Sequence, residues 1–208
     1  MDIFTEKKNI RIEVKKRIAK LSPAQKGLES AMKCAEFIRS DVFLKAKVLF
    51  GFMPMKDELD ILPILRTALE NEKKVLLPKI CASSNSSNEM DFYFVESDFY
   101  AETEKSAYGM YEPASRDCPA RLENIFEDYA GDDIVVFVPG RAFGRDNSRL
   151  GRGKGFYDAF LHRLSRFYGD GIGTGAKKRP RYIGVCYGTQ IFDSVPHSEN
   201  DAFVDYVI

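Results

Sequence analysis

Ile10, Val14, Ile18 and Leu21 recur at helical spacing among charged residues, which predicts an amphipathic first helix ending near Leu21 with a basic polar face. Ser22-Pro23-Ala24-Gln25 then offers an N-cap, a proline at the first helical position and a glutamine three residues past the cap, so a second helix starts there. Val48-Leu49-Phe50-Gly51-Phe52 is a short apolar run of the buried-strand type. A helix over 62–69 and a strand at Val75-Leu76-Leu77, stopped by Pro78, complete a β-α-β pattern. Further strands are predicted at Phe92-Tyr93-Phe94-Val95, at Ile134 to Val138, at Tyr182 to Val185 and at Phe203 to Val207, with a helix over 156–167. Such alternation predicts an α/β fold of the Rossmann-like three-layer kind: a mostly parallel sheet with helices on both faces.

The chain has 208 residues, 44% hydrophobic and 30% charged, which suits one domain spanning 1–208. Lys plus Arg and Asp plus Glu both number 31, so no net field favours nucleic acid or an anionic membrane, and neither is expected as a partner. Cys34, Cys81, Cys118 and Cys186 form no metal-ligand rhythm and read as reduced structural thiols. No apolar run approaches the length of a membrane span, and Asp2 and Glu6 make the N-terminus unlike a targeting peptide. A cytoplasmic location and a monomer rather than an obligate oligomer are the expectations. No internal repeat occurs. The polar stretches 82–89 and 169–181 read as surface loops, and the basic run Lys177-Lys178-Arg179-Pro180-Arg181, set in a chain of zero net charge, is a weak case for RNA binding.

Chemistry concentrates between Val138 and Leu161. Gly151, Gly153 and Gly155 alternate with Arg152 and Lys154, so backbone N–H groups can approach an anion while cationic side chains flank it. The helix that follows points its N-terminal dipole into this loop. A Walker loop would need glycine at 148 and Ser or Thr at 155, where Ser148 and Gly155 stand. The two histidines, His162 and His197, sit in no arrangement for covalent catalysis.

From Arg149-Leu150-Gly151 through the glycines to Phe156-Tyr157-Asp158, the segment resembles the signature of the 5-formyltetrahydrofolate cyclo-ligase family. The resemblance extends to Lys7-Lys8-Asn9-Ile10-Arg11, Met55-Lys56-Asp57-Glu58, Leu77-Pro78, Met90, 109–113, Val138-Pro139-Gly140, Gln190, Pro196 and Asn200-Asp201. It implies an ATP- and magnesium-dependent conversion of 5-formyltetrahydrofolate to 5,10-methenyltetrahydrofolate, releasing ADP and phosphate. It also implies that Lys7, Lys8, Asn9, Ile10, Arg11 and the run Arg149, Leu150, Gly151, Arg152, Gly153, Lys154, Gly155, Phe156, Tyr157 bind ATP. Arg149, Lys154 and Tyr157 would serve catalysis. Arg11, Met53, Glu58 and residues 152–156 would face the folate, and Asp158 and Asp201 would hold Mg2+. Read from the residues alone, Lys7 and Arg11 suit a solvated helix face, Glu58 a cap for a helix beginning near Leu59, Met53 the core and Asp201 a turn. Gly144 replaces an aspartate of many family members, and Asp146 is expected to substitute locally for the missing carboxylate. Phe156 replaces a common tyrosine, and the loop over 169–181 is longer than usual. A non-catalytic nucleotide or folate sensor is the rival reading.

Overall fold

The computed structural model describes residues 2–80, 89–96, 99, 103–106, 109, 111–114, 119–129, 133–168 and 179–208. Helix α1 spans Ile3–Ala19 and is capped by Asp2, whose carboxylate accepts from the Phe4 and Thr5 amides at 3.0 Å. Helix α2 spans Pro23–Ile38 and opens with the anticipated capping box: Ser22 Oγ accepts from Gln25 N, and Gln25 Oε1 accepts from Ser22 N. After the short helix α3 (Asp41–Lys45) come β1 (Val48–Phe50), α4 (Leu62–Glu70), β2 (Lys74–Ile80) and β3 (Met90–Val95). A hairpin of β4 (Thr103–Lys105) and β5 (Tyr111–Pro113) follows, then α5 (Leu122–Asp128) and β6 (Ile134–Pro139). The chain continues through β7 (Ala142–Gly144), β8 (Arg149–Leu150), α6 (Phe156–Tyr168), β9 (Arg181–Val185), β10 (Ile191–Phe192) and β11 (Tyr206–Val207).

The main sheet runs β11-β9-β6-β1-β2-β3, parallel throughout except for β3 at one edge. Alternation along β1 and β6 divides the core in two. Leu49, Val135 and Phe137 face a cluster with Val14, Ile18, Phe37 and Ile64 of α1, α2 and α4. Val48, Phe50, Val136 and Val138 face the other cluster, with Ile125, Phe160 and Leu164 of α5 and α6. Helices therefore cover both faces, as the pattern predicts. Phe37 meets Phe137 edge-on at 5.1 Å, and Phe50 meets Phe92 at 5.0 Å; truncating such a ring to alanine costs about 3–5 kcal/mol.

Several boundaries differ from the pattern. Helix α1 stops at Ala19, and β2 runs through Pro78 instead of ending there. Pro78 lies beyond the last β1 partner, Leu76, on a stretch paired only to β3, so its missing N–H interrupts no β1 ladder. The final strand contracts to Tyr206–Val207. The stretches 82–88 and 169–178, read as surface loops, lie outside the described residues, whereas Arg181 opens β9. Cys34 and Cys186 are free and buried, and burial pushes their thiols up to about 11 and about 12. Cys81 and Cys118 lie outside the described residues.

Candidate active site

Between β1 and β6 the chain's strand order reverses direction, so the loops leaving these two neighbouring strands part over the sheet and open a crevice. A cavity of about 570 Å³ occupies it. Met53 and Glu58 enter from the loop after β1, Arg141 from the loop after β6, and Lys8, Arg11 and Lys15 from α1. The basic face of α1 thus serves the cavity while Val14 and Ile18 anchor the opposite face in the core. Phe52, Pro78, Ile80 and Met90 give the cavity an apolar floor.

The glycine loop forms one wall. It starts from a small sheet in which β7 pairs with both β8 and β10, so Leu150 is buried and fixed before the loop begins. Gly153 and Gly155 have φ of 96° and 71°, a region that side-chain-bearing residues enter only at a cost. Arg11 holds the loop down: its Nε donates to Gly151 O at 2.9 Å, and its guanidinium lies against Gly153. Beyond Gly155 the backbone turns into α6, whose first-turn amides and dipole favour an anion. Lys154 stands exposed at the rim.

Beneath the loop, Arg149 is buried; its Nη1 donates to Pro139 O at 3.1 Å and its Nη2 pairs with Asp158. Arg149 Nε and the Tyr157 hydroxyl are buried without a hydrogen-bond partner among the described residues. Unsatisfied donors of this kind are uncommon in folded proteins. Burial, reinforced by Glu58 and opposed by Arg149, raises the Tyr157 pKa, so its phenol keeps its proton and can donate.

A lattice of two acids and two bases ties the loop to the residues that follow β1 and β6. Arg152 Nε donates to Glu58 Oε1 at 2.9 Å, and its Nη2 reaches Glu58 Oε1 at 2.7 Å and Asp57 Oδ1 at 2.6 Å. Arg141 Nη1 pairs with the other Asp57 oxygen. Burial opposes ionisation of Asp57, but the hydrogen bonds and charges of Arg152 and Arg141 outweigh it and hold the carboxyl below its ordinary range. Glu58 does not cap a helix at Leu59. Its Oε2 accepts from Met55 N at 2.9 Å, and α4 starts later, with Asp60 Oδ1 accepting from Leu62 N at 2.9 Å.

Ala202 N, next in sequence to Asp201, donates to Asp158 Oδ1 at 3.1 Å, which ties this stretch of backbone to the head of α6. Lys7 Nζ pairs with Asp201 Oδ2, which also accepts from Ser198 N at 2.6 Å and Ser198 Oγ at 2.7 Å. Burial disfavours ionised Asp201, yet Lys7 and Ser198 prevail and lower its pKa. Among the described residues no group of three or more His, Cys, Asp or Glu side chains gathers to hold a metal. Magnesium takes one or two carboxylates from protein when water and phosphate oxygens complete its shell; here each aspartate is paired with a cation, Asp158 with Arg149 and Asp201 with Lys7.

Helical geometry sorts the first cluster of anticipated residues. Lys8 and Arg11 line the cavity, Lys7 reaches Asp201, Ile10 packs against the apolar cluster and Asn9 is exposed. Met53, Glu58, Gly151, Arg152, Lys154, Gly155, Phe156, Tyr157, Asp158 and Arg149 line the cavity, whereas Leu150 faces the core. Asp146 does not stand in for a missing carboxylate there: it accepts from Ser148 N at 3.1 Å and closes its own turn. A Cβ at Gly144 would collide with Asp146 Oδ1 and Ser148 Oγ and stand 3.0 Å from Ser194 Cα, so glycine at 144 and aspartate at 146 fit each other. Asp57 and Arg141 were given no role from sequence; they lie 84 residues apart, and no local spacing signals their pairing.

The family model for the 5-formyltetrahydrofolate cyclo-ligase family matches residues 3–208. A curated relative from Mus musculus, named 5-formyltetrahydrofolate cyclo-ligase, is 27% identical over 99% of this chain and 94% of its own length. Another from Arabidopsis thaliana, named 5-formyltetrahydrofolate cyclo-ligase, mitochondrial, is 27% identical over 99% of this chain and 74% of its own. The NMR structure of Aquifex aeolicus 5,10-methenyltetrahydrofolate synthetase superposes with a TM-score of 0.70 at 28% identity, covering 97% of this chain and 88% of that one. A Mycoplasma pneumoniae 5,10-methenyltetrahydrofolate synthetase shares the fold, with a TM-score of 0.64 at 22% identity over 100% of this chain and 98% of its own.

Proposed function

Because the chain belongs to the 5-formyltetrahydrofolate cyclo-ligase family, we propose that it cyclises 5-formyltetrahydrofolate to 5,10-methenyltetrahydrofolate at the expense of ATP. The observation that carries this reading is the placement of the glycine loop. Its anion-binding backbone and Arg152 form a wall of the same cavity whose floor is apolar, so a phosphate chain and a flat organic substrate would meet in one space.

An N-formyl group is an amide, with a weakly electrophilic carbon and an oxygen that leaves poorly. In the proposed sequence the formyl oxygen attacks the γ-phosphorus of ATP and the bond from γ-phosphorus to the bridging oxygen breaks, releasing ADP. Folate N10 then adds to the activated carbon, N10 gives up its proton, and the carbon–oxygen bond breaks to release phosphate. Such a transfer needs positioning and charge stabilisation more than a protein nucleophile. Arg152 and Lys154 meet the transferring phosphoryl group, the Tyr157 hydroxyl and Arg149 Nε donate to its oxygens, and the α6 N-terminus supplies further positive potential. Arg11 keeps the loop in the conformation that presents its amides. Asp158 and Asp201 would hold the magnesium, which when bound draws charge from the phosphate oxygens. A single-domain monomer acting in the cytoplasm completes the proposal; no helix among the described residues is long and apolar enough to cross a membrane.

The test is the appearance of methenyl absorbance from the 5-formyl compound with purified protein. Product should require both ATP and magnesium, and a folded protein that yields none would overturn the reading.

A further inference from the structure

The chemistry above leaves unused one buried acid that borders the cavity. Glu112 lies in the middle of β5, on the wall built with β2 and β3, and is 6% exposed. The Ile80 backbone and the Ser106 side chain both lie within reach of its carboxyl and favour its ionised form, but at full hydrogen-bonding geometry Glu112 Oε1 has no partner among the described residues. Lys79, the neighbouring cation, is committed elsewhere: its Nζ donates to Glu104 Oε1 and to Pro113 O, each at 2.9 Å. Around the carboxyl the cavity is lined by Pro78, Ile80 and Met90, flat or flexible apolar surfaces suited to the faces of a ring.

A carboxyl group so placed repels phosphates and carboxylates and accepts N–H donors. Of the two substrates in the proposed reaction, the reduced pterin presents neighbouring N–H donors, at N3 and at the 2-amino group, spaced like the two oxygens of a carboxylate. Adenine presents its amino group beside a lone pair, and the benzoylglutamate tail ends in anions. We propose that Glu112 is a specificity-determining residue that accepts the N3–H and 2-amino hydrogens of the pterin ring, fixing the ring end of the folate on the wall formed by β2, β3 and β5. This assignment rests on the proposed function. It also gives a role to a buried acid whose pKa is raised, above all by burial, with Glu104 adding and Ile80, Ser106 and Lys79 opposing. Without a ligand an ionised Glu112 costs stability, and a bidentate donor edge offsets that cost.

The test measures binding of 5-formyltetrahydrofolate, its 2-deamino analogue and ATP to the wild type and to Glu112→Gln by calorimetry, with thermal melts. The substitution should weaken 5-formyltetrahydrofolate by at least about tenfold, as expected when one partner of a buried charged hydrogen bond is changed, and leave ATP affinity within twofold. The analogue should bind the wild type at least about tenfold more weakly than the parent and lose little more on the variant. Ligand-free Glu112→Gln should melt at or above the wild type. Equal folate affinity in variant and wild type, or a parallel loss of ATP affinity, would overturn the assignment. If the variant does not fold, the wild type decides alone, equal affinity for parent and analogue being the overturning result. A wild type that binds no folate would overturn the proposed function along with this assignment.

Discussion

Replacing Arg152 with methionine keeps most of the side chain's length and removes three hydrogen bonds, two to Glu58 and one to Asp57. The stability cost divides unevenly between the acids. Asp57 retains Arg141, whereas Glu58, with its side chain 11% exposed, keeps among the described residues only its contact with Met55 N. Charged hydrogen bonds contribute about 1.5–3 kcal/mol each when well buried. The Arg152 side chain is 29% exposed, and screening brings the expected net loss to about 1–2 kcal/mol. For a chain of this size that lowers the melting temperature by roughly 2–8 °C. Acid stability shifts as well. Asp57 has a folded pKa below its unfolded value, so its contribution is fully present above the unfolded pKa and disappears as pH falls through the folded one. Without Arg152, its foremost stabilising partner, that folded pKa rises and less stability remains to be lost, so the melting curves of variant and wild type should converge as pH drops through the carboxylate range. Catalysis should suffer more: loss of a positioned cation at the transferring phosphoryl group costs about 3–4 kcal/mol, or 10²–10³ in kcat/KM. Methenyl absorbance gives the rate, and melts from neutral pH to the acid limit give the stability. Turnover within a fewfold of wild type, despite the expected drop in melting temperature, would show that Arg152 is only a structural tie.

Lys154→Ala should leave the melting temperature almost unchanged, because the side chain is exposed, while lowering turnover by roughly two orders of magnitude; an unchanged rate would make it a solubilising residue. Asp201→Asn should raise the magnesium concentration needed for half-maximal turnover, and superimposable titrations would remove it from the metal site. Gly144→Asp should destabilise the turn by about 1–3 kcal/mol through overlap with Asp146 and Ser148. Removing the Asp146 side chain in the same protein should recover part of that loss, and strict additivity of the two changes in melts would refute the coupling.

Local signals were legible wherever a residue's role depends on its sequence neighbours. The capping box at Ser22 and Gln25, the alternation in β1 and β6 and the apolar face of α6 are all of this kind. The glycine loop was readable for the same reason: its left-handed backbone needs glycine at the positions themselves. Strands of two or three residues, such as β7, β8 and β10, are too short to show a period, so the small sheet that fixes the loop had no signature. Pro78 looked like a strand end because position within a sheet, which decides whether a missing donor matters, is set by distant β1. The Asp57–Arg141–Arg152 lattice joins partners 84 and 95 residues apart, and Glu112 differs from any surface glutamate only by what packs around it. Both exist only once the sheet has formed.

The central claim, ATP-driven activation of the formyl oxygen followed by ring closure, is tested most directly by isotope transfer. 5-Formyltetrahydrofolate carrying ¹⁸O in its formyl group should be incubated with the protein, ATP and magnesium, and the phosphate and folate products analysed by mass spectrometry. The account predicts one ¹⁸O in each inorganic phosphate formed, in step with methenyl product. Methenyl product accompanied by unlabelled phosphate would contradict it.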